Sequence, residues 1–183
     1  MGALRLDSEG LLDRANLILS LNCDERPEGE TVTLLVIHAI SLPPGEFGGE
    51  AVIRLFTNSL DCTAHPYFET LRGLRVSAHF LVRRGGEIVQ FVPCGKRAWH
   101  AGKSCHAGRE HCNDFSVGIE LEGAEDVAFT ERQYETLTGL CGALLARYPI
   151  TDVVGHSDIA PGRKTDPGPA FNWVRLRAAL SHR

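Results

Sequence analysis

The sequence predicts a single mixed α/β domain, a central mixed β-sheet flanked by helices. Two observations carry the prediction: aliphatic strand-like runs interleave with helical periodicity along the chain, and one pair of runs is joined by a Gly-Gly turn that makes them antiparallel. A chain of 183 residues is the size of one domain and buries a core without disulfide staples. Residues 1–30 are expected to be an extension packed on the domain, which then runs over residues 31–183.

The first strand is expected over Thr31–Ile40, a nearly continuous β-branched and aliphatic run of the kind buried on both faces. It delivers His38 at its carboxyl end, where Ser41–Gly49 is too rich in proline and glycine to continue it. Ser77–Val82 and Glu87–Val92 flank Arg83-Arg84-Gly85-Gly86, and the Gly-Gly pair supplies the positive φ angles of a tight hairpin. Ser116–Leu121 reads as another buried strand, with Glu120 near its end. Tyr134, Leu137, Cys141, Leu144, Leu145 and Tyr148 recur at intervals of three and four, so Glu131–Tyr148 is a helix, started by a Thr130/Gln133 capping box. Val153-Val154 is a short strand. Gly155–Pro169 holds too much Pro, Gly and Asp for regular structure, and a segment that long calls for a functional reason. Ala170–Leu180 closes the chain as a helix with Pro169 in its first turn.

Composition removes several function classes. Apolar residues make up 43% and charged residues 23%, an ordinary globular balance. A formal charge of −4 offers no basic field for nucleic acid. Asp7, Glu9, Asp13 and Arg14 interrupt any export signal, and no segment approaches membrane-spanning length, so a cytoplasmic protein is expected. Met1-Gly2 followed by Ser8 does not fit myristoylation. The six cysteines contain no C-x-x-C pair and are read as reduced thiols.

Eight histidines raise the question of a metal. His156 opens the irregular segment and Asp166 lies near its end, where a metal joining the two would close a loop too broken for a hydrogen-bond ladder. His38 completes a set of two imidazoles and one carboxylate, which leaves a fourth tetrahedral position for water, as a catalytic zinc requires. Such a water has its pKa brought to about 7. Glu120 suits the proton transfer and Lys164, on the same loop as Asp166, suits the oxyanion. The plain alternatives also stand: His38 as a core histidine, Asp166 as a turn residue before Pro167, Lys164 as a solvated surface base, Glu120 as a paired carboxylate. A structural clip from Cys105-His106 and His111-Cys112 is disfavoured, because both members of each doublet cannot easily point at one ion. A serine triad does not assemble, since no G-x-S-x-G elbow is present.

In order and spacing, LLVIH, SLPPGEFGG, HPYF, LRVSAHFLV, GEIVQFVP, RAWHAG, NDFSVGIELEG and GHSDIAPGRKTDPGPAFNW resemble the AmpD-type 1,6-anhydro-N-acetylmuramyl-L-alanine amidases. The resemblance runs from about Leu34 to the final helix, and its KTDPGPAF block is the most specific part. It implies a fold like that of peptidoglycan-recognition proteins and phage T7 lysozyme, with one zinc ion held by His38, His156 and Asp166 and a catalytic pair of Glu120 and Lys164. It also implies substrate contacts from Tyr67, Trp99 and Arg75, the tryptophan through an apolar face and the arginine through a bidentate grip on a carboxylate. The implied reaction is hydrolysis of the amide between the lactyl group of anhydro-N-acetylmuramic acid and L-alanine by a cytoplasmic monomer, with an indirect effect on β-lactamase induction. Two positions depart from the family: Ala39 stands where asparagine is usual, and His111 where arginine is common, both expected near the stem peptide. Each missing contact is expected to cost about 1.5–3 kcal/mol. A binding protein that keeps the fold without turnover is the rival class, and a general zinc peptidase a third. The loops around Pro43-Pro44 and Cys105–Cys112 are the segments expected to move.

Overall fold

A computed structural model describes residues 4–181, so the Met1-Gly2 reading lies outside the described residues. Its strands are β1 (Asn16–Leu17), β2 (Cys23–Glu25), β3 (Leu34–Ile40), β4 (Phe80–Val82), β5 (Ile88–Gln90), β6 (Lys96–Ala98), β7 (Cys105–His106), β8 (Arg109–Glu110), β9 (Ser116–Glu122) and β10 (Asp152–Gly155). The helices are α1 (Ala51–Phe56), α2 (Pro66–Glu69), α3 (Glu131–Arg147), α4 (His156–Ile159) and α5 (Trp173–Ser181). Six strands form one sheet in the order β1-β5-β4-β9-β3-β10. β4, β9, β3 and β10 run parallel, β5 is antiparallel to β4, and β1 is parallel to β5. The sheet is therefore mixed, as the interleaving and the hairpin require.

Alternation along the strands separates two faces. Leu35 and Ile37 of β3, Phe80 and Val82 of β4, and Val117, Ile119 and Leu121 of β9 pack against Leu137, Leu140 and Leu144 of α3. Leu81 joins a second cluster with Phe56 and Phe91, while Leu34 and Val36 join a third with Phe115 and Ile159. Each fully buried leucine stabilises the fold by about 1.5–3 kcal/mol relative to an exposed one. The same alternation sends His38, Ser116, Gly118 and Glu120 to the face opposite α3, so helix packing on one side fixes the site on the other.

Several local expectations change. The helix cap holds, with Thr130 Oγ1 accepting from Gln133 N and Thr130 N donating to Gln133 Oε1, both at 3.1 Å. Gln133 also donates through Nε2 to Val82 O and Glu122 O, which ties α3 to the sheet. In the hairpin only Gly86 has positive φ, at 92°. Gly86 N donates to Arg83 O, so a single left-handed glycine suffices to turn the chain. The segment read as wholly irregular contains the one-turn helix α4. The final helix begins at Trp173, leaving Pro169 outside its first turn, because Asn172 Oδ1 accepts from Arg175 N and starts the helix there. No helix among the described residues is long and apolar enough to cross a membrane.

Candidate metal centre

Three adjacent parallel strands bring their carboxyl ends together. His38 pairs with Glu120 across β3 and β9, and Gly155, immediately before His156, pairs with Ile37 across β10 and β3. Ligand sites in parallel sheets form at this edge. Asp166 arrives from the loop after α4. That loop forms no ladder but carries backbone hydrogen bonds of its own: Ser157 N donates to Asp166 O at 2.9 Å and Lys164 N to Ala160 O at 3.0 Å. Asp166 thus reaches the site already positioned.

The three side chains meet at single atoms. His38 Nδ1 lies 2.9 Å from His156 Nδ1 and 3.1 Å from Asp166 Oδ2, and His156 Nδ1 lies 3.2 Å from the same oxygen. His156 Nε2 faces the carbonyl of Ala101 at 3.1 Å. A carbonyl only accepts, so this nitrogen carries the proton and His156 Nδ1, in the neutral ring, presents a lone pair to the Asp166 carboxylate. Lone pairs converging at such distances repel unless a cation lies among them. A tetrahedral ion bound at about 2.0–2.1 Å sets its ligand atoms about 3.3 Å apart, close to the spacing seen, and two imidazoles with a carboxylate suit zinc. The donor set therefore fits a zinc ion.

Electrostatics agree with that fit. Burial pushes His38 down to about 4, only partly opposed by its contact with Asp166, so its ring is neutral and able to ligate near pH 7. Burial alone would raise Asp166, but its contacts with His156 and His38 outweigh that and hold it below the usual carboxylate range. Glu120 is held well above its ordinary value by burial and then by Asp166, with Lys164 opposing. Its Oε2 is buried without a hydrogen-bond partner, an arrangement that structural carboxylates avoid.

These groups line a cleft of about 590 Å³ whose wall includes His38, Glu120, His156, Lys164, Asp166 and Tyr67. Lys164 is exposed at its rim, and Tyr67, on α2, is 38% exposed. Ala39 lines the cleft as well, whereas His111 is exposed and outside the lining. Arg75 lies in a smaller neighbouring cavity of about 100 Å³ that shares Leu55, Leu71 and Leu74 with the cleft. Trp99 is half-buried with its side chain hydrogen-bonded to Asp24, outside the lining. Cys105 is exposed on the β7–β8 hairpin while Cys112 is buried beside Phe115, so the two Cys/His doublets do not converge. Sequence reasoning missed His100, whose Nδ1 lies 2.9 Å from His38 Nε2. It stands in the RAWHAG segment, directly after Trp99.

The chain belongs to the N-acetylmuramoyl-L-alanine amidase family, matching it over residues 28–169, and carries its two-histidine, one-aspartate group at the carboxyl edge of a mixed sheet. Within that family it is 55% identical over 175 residues to the 1,6-anhydro-N-acetylmuramyl-L-alanine amidase AmpD of Citrobacter freundii, covering 94% of each chain. The AmpD of Haemophilus influenzae is 49% identical over 175 residues, with 94% of this chain and 95% of the other covered. A crystal structure of a selenomethionine AmpD derivative superposes with a TM-score of 0.93 at 56% identity, covering 96% of this chain and 98% of that one.

Proposed function

We propose that this chain is a zinc-dependent amidase that hydrolyses the bond between the lactyl group of 1,6-anhydro-N-acetylmuramic acid and L-alanine in cytoplasmic muropeptides, acting as a monomer. The observation that carries this reading is the convergence of His38 Nδ1, His156 Nδ1 and Asp166 Oδ2 in a cleft that also holds the unpartnered Oε2 of Glu120. The AmpD relatives support the substrate. So does a 30% identical structure of the amidase AmiD from E. coli, solved with anhydro-N-acetylmuramic acid-L-Ala-D-γ-Glu-L-Lys, which has a TM-score of 0.61 and covers 97% of this chain and 65% of that one. In this reading residues 1–30 extend a zinc amidase domain of residues 31–183, supported by the start of the family match at residue 28.

Held by His38, His156 and Asp166, zinc supplies Lewis acidity and lowers the pKa of water to about 7. Glu120 Oε2 accepts a proton from the attacking water as the C–O bond forms, and returns it to the amide nitrogen as the C–N bond breaks. Its raised proton affinity suits the return step, while Lys164 opposes that rise and keeps it able to accept first. Lys164, exposed at the rim, offers an ammonium to the oxygen on which charge develops. Tyr67 contacts the substrate from the rim, and Arg75 and Trp99 serve parts of it that extend beyond the cleft.

The test is hydrolysis of anhydro-muramyl-tripeptide by the purified protein, with chelator, with zinc restored, and with Asp166→Ala. Release of free tripeptide that needs zinc and vanishes in the variant is expected. Bound zinc with no turnover would favour a binding protein instead.

A further inference from the structure

Each histidine of the metal group turns its outer nitrogen to one of two consecutive residues. His38 Nε2 meets the side chain of His100 at 2.9 Å, and His156 Nε2 donates to the main-chain carbonyl of Ala101 at 3.1 Å. The backbone N–H groups of these two residues converge in turn on a single acceptor, Asn113 Oδ1, at 3.2 Å from His100 and 2.8 Å from Ala101. His100 is also fixed from two further sides. Its Nε2 lies 3.1 Å from Ser116 Oγ, and its ring lies so close to Gly118 that a Cβ there would sit 2.5 Å from His100 Cγ. No larger residue fits at position 118 without moving His100.

We propose that the His100–Ala101 pair, clamped by Asn113, is a positioning device that sets both metal histidines with Nδ1 toward the ion. The chemistry is one of tautomers. For His38 to offer Nδ1 as a lone pair, Nε2 must carry the proton and donate it to His100 Nδ1; His100 then carries its own proton on Nε2 and donates to Ser116 Oγ. The Ala101 carbonyl imposes the same tautomer on His156. One side-chain oxygen thus ties the backbone of both partners, beside the Ser116 contact of His100 and the Arg163 guanidinium on the Ala101 carbonyl, and its loss loosens both. Outer partners of this kind raise ligand basicity and lock ring orientation, and losing one typically weakens metal binding 10–100-fold.

This inference rests on the metal-site reading, and its test separates the two. Zinc affinity is measured by competition with a chromophoric chelator, alongside the visible spectrum of the cobalt-substituted protein and the melting temperature of the metal-free form. Two pairs of variants are compared: Asn113→Ala, which removes the acceptor, with Asn113→Asp, which keeps it; and His100→Leu with His100→Asn, which retains an acceptor near the place of Nδ1. The expected result is a fall of about 10–100-fold in zinc affinity for the first of each pair with an altered cobalt spectrum, and recovery in the second. Unchanged affinity in both Asn113→Ala and His100→Leu, in a parent that binds zinc through Asp166, overturns the proposal. So does a loss shared by all four variants in step with their melting temperatures, which marks a merely structural role. A parent that binds no zinc overturns the metal-site reading itself.

Discussion

Glu120→Gln separates the chemical role of this carboxyl from its structural cost. The residue is 8% exposed, stands beside His38 on the neighbouring strand, and has one oxygen without a partner. Glutamine preserves its shape but cannot exchange a proton. Loss of a positioned acid–base group lowers the rate by about 10²–10⁴-fold, equivalent to about 3–5.5 kcal/mol in the barrier. Stability moves the other way. The folded chain holds the Glu120 proton more tightly than the unfolded chain, whose value is near 4.5, so this group's contribution is full below that pH and is lost as pH rises through the folded value. Glutamine does not titrate, so the metal-free variant gains on its parent as pH rises. Each kcal/mol adds about 2–4 °C to the melting temperature of a chain this size. The assay is kcat/KM on anhydro-muramyl-tripeptide, with zinc content and metal-free melting temperature measured at pH 5 and pH 8. A variant with unchanged zinc content that retains a tenth or more of the parent kcat/KM, or one that melts below its parent at pH 8, refutes the reasoning.

Three further outcomes follow from the same structure. Leu140 of α3 is 0% exposed in the main core, so Leu140→Ala should cost about 2–5 kcal/mol in urea unfolding, whereas Leu145→Ala, at a site 37% exposed, should cost far less; equal effects would contradict the assigned helix face. Burial lowers His38 to about 4 and His79 to about 3 from 6.5, so between pH 6.5 and 4 the unfolded chain takes up protons that the fold refuses. His100, pushed down by burial as well, adds to this and Glu120 opposes it, but three rings outweigh one carboxyl, so the metal-free protein should lose stability as pH falls through that window; an unfolding free energy flat across it would be inconsistent with neutral buried rings. Ala39→Asn restores an amide at the cleft wall and should lower KM about tenfold with kcat unchanged, the low end of the ~1.5–3 kcal/mol expected of such a contact; no change in KM would place position 39 outside the substrate path.

Much of this was legible in the residues. An unbroken aliphatic run cannot be exposed and must be a buried strand, and the periodicity and cap of α3 leave one helix and one starting point. Proline and glycine after His38 and around His156 and Asp166 mark chain that is not sheet or long helix, and the family motifs single out the metal group, Glu120 and Lys164. Tertiary structure alone decided which way these groups face. Strands buried on both sides carry no alternation of polar and apolar residues, so only register and the seat of α3 assign His38, Gly118 and Glu120 to one face. The support behind the histidines was equally hidden. Asn113 Oδ1 accepts from backbone amides and Ala101 acts through its carbonyl; amide and carbonyl are main-chain groups that leave no mark in the sequence, and their roles exist only where the fold brings the partners within hydrogen-bond distance.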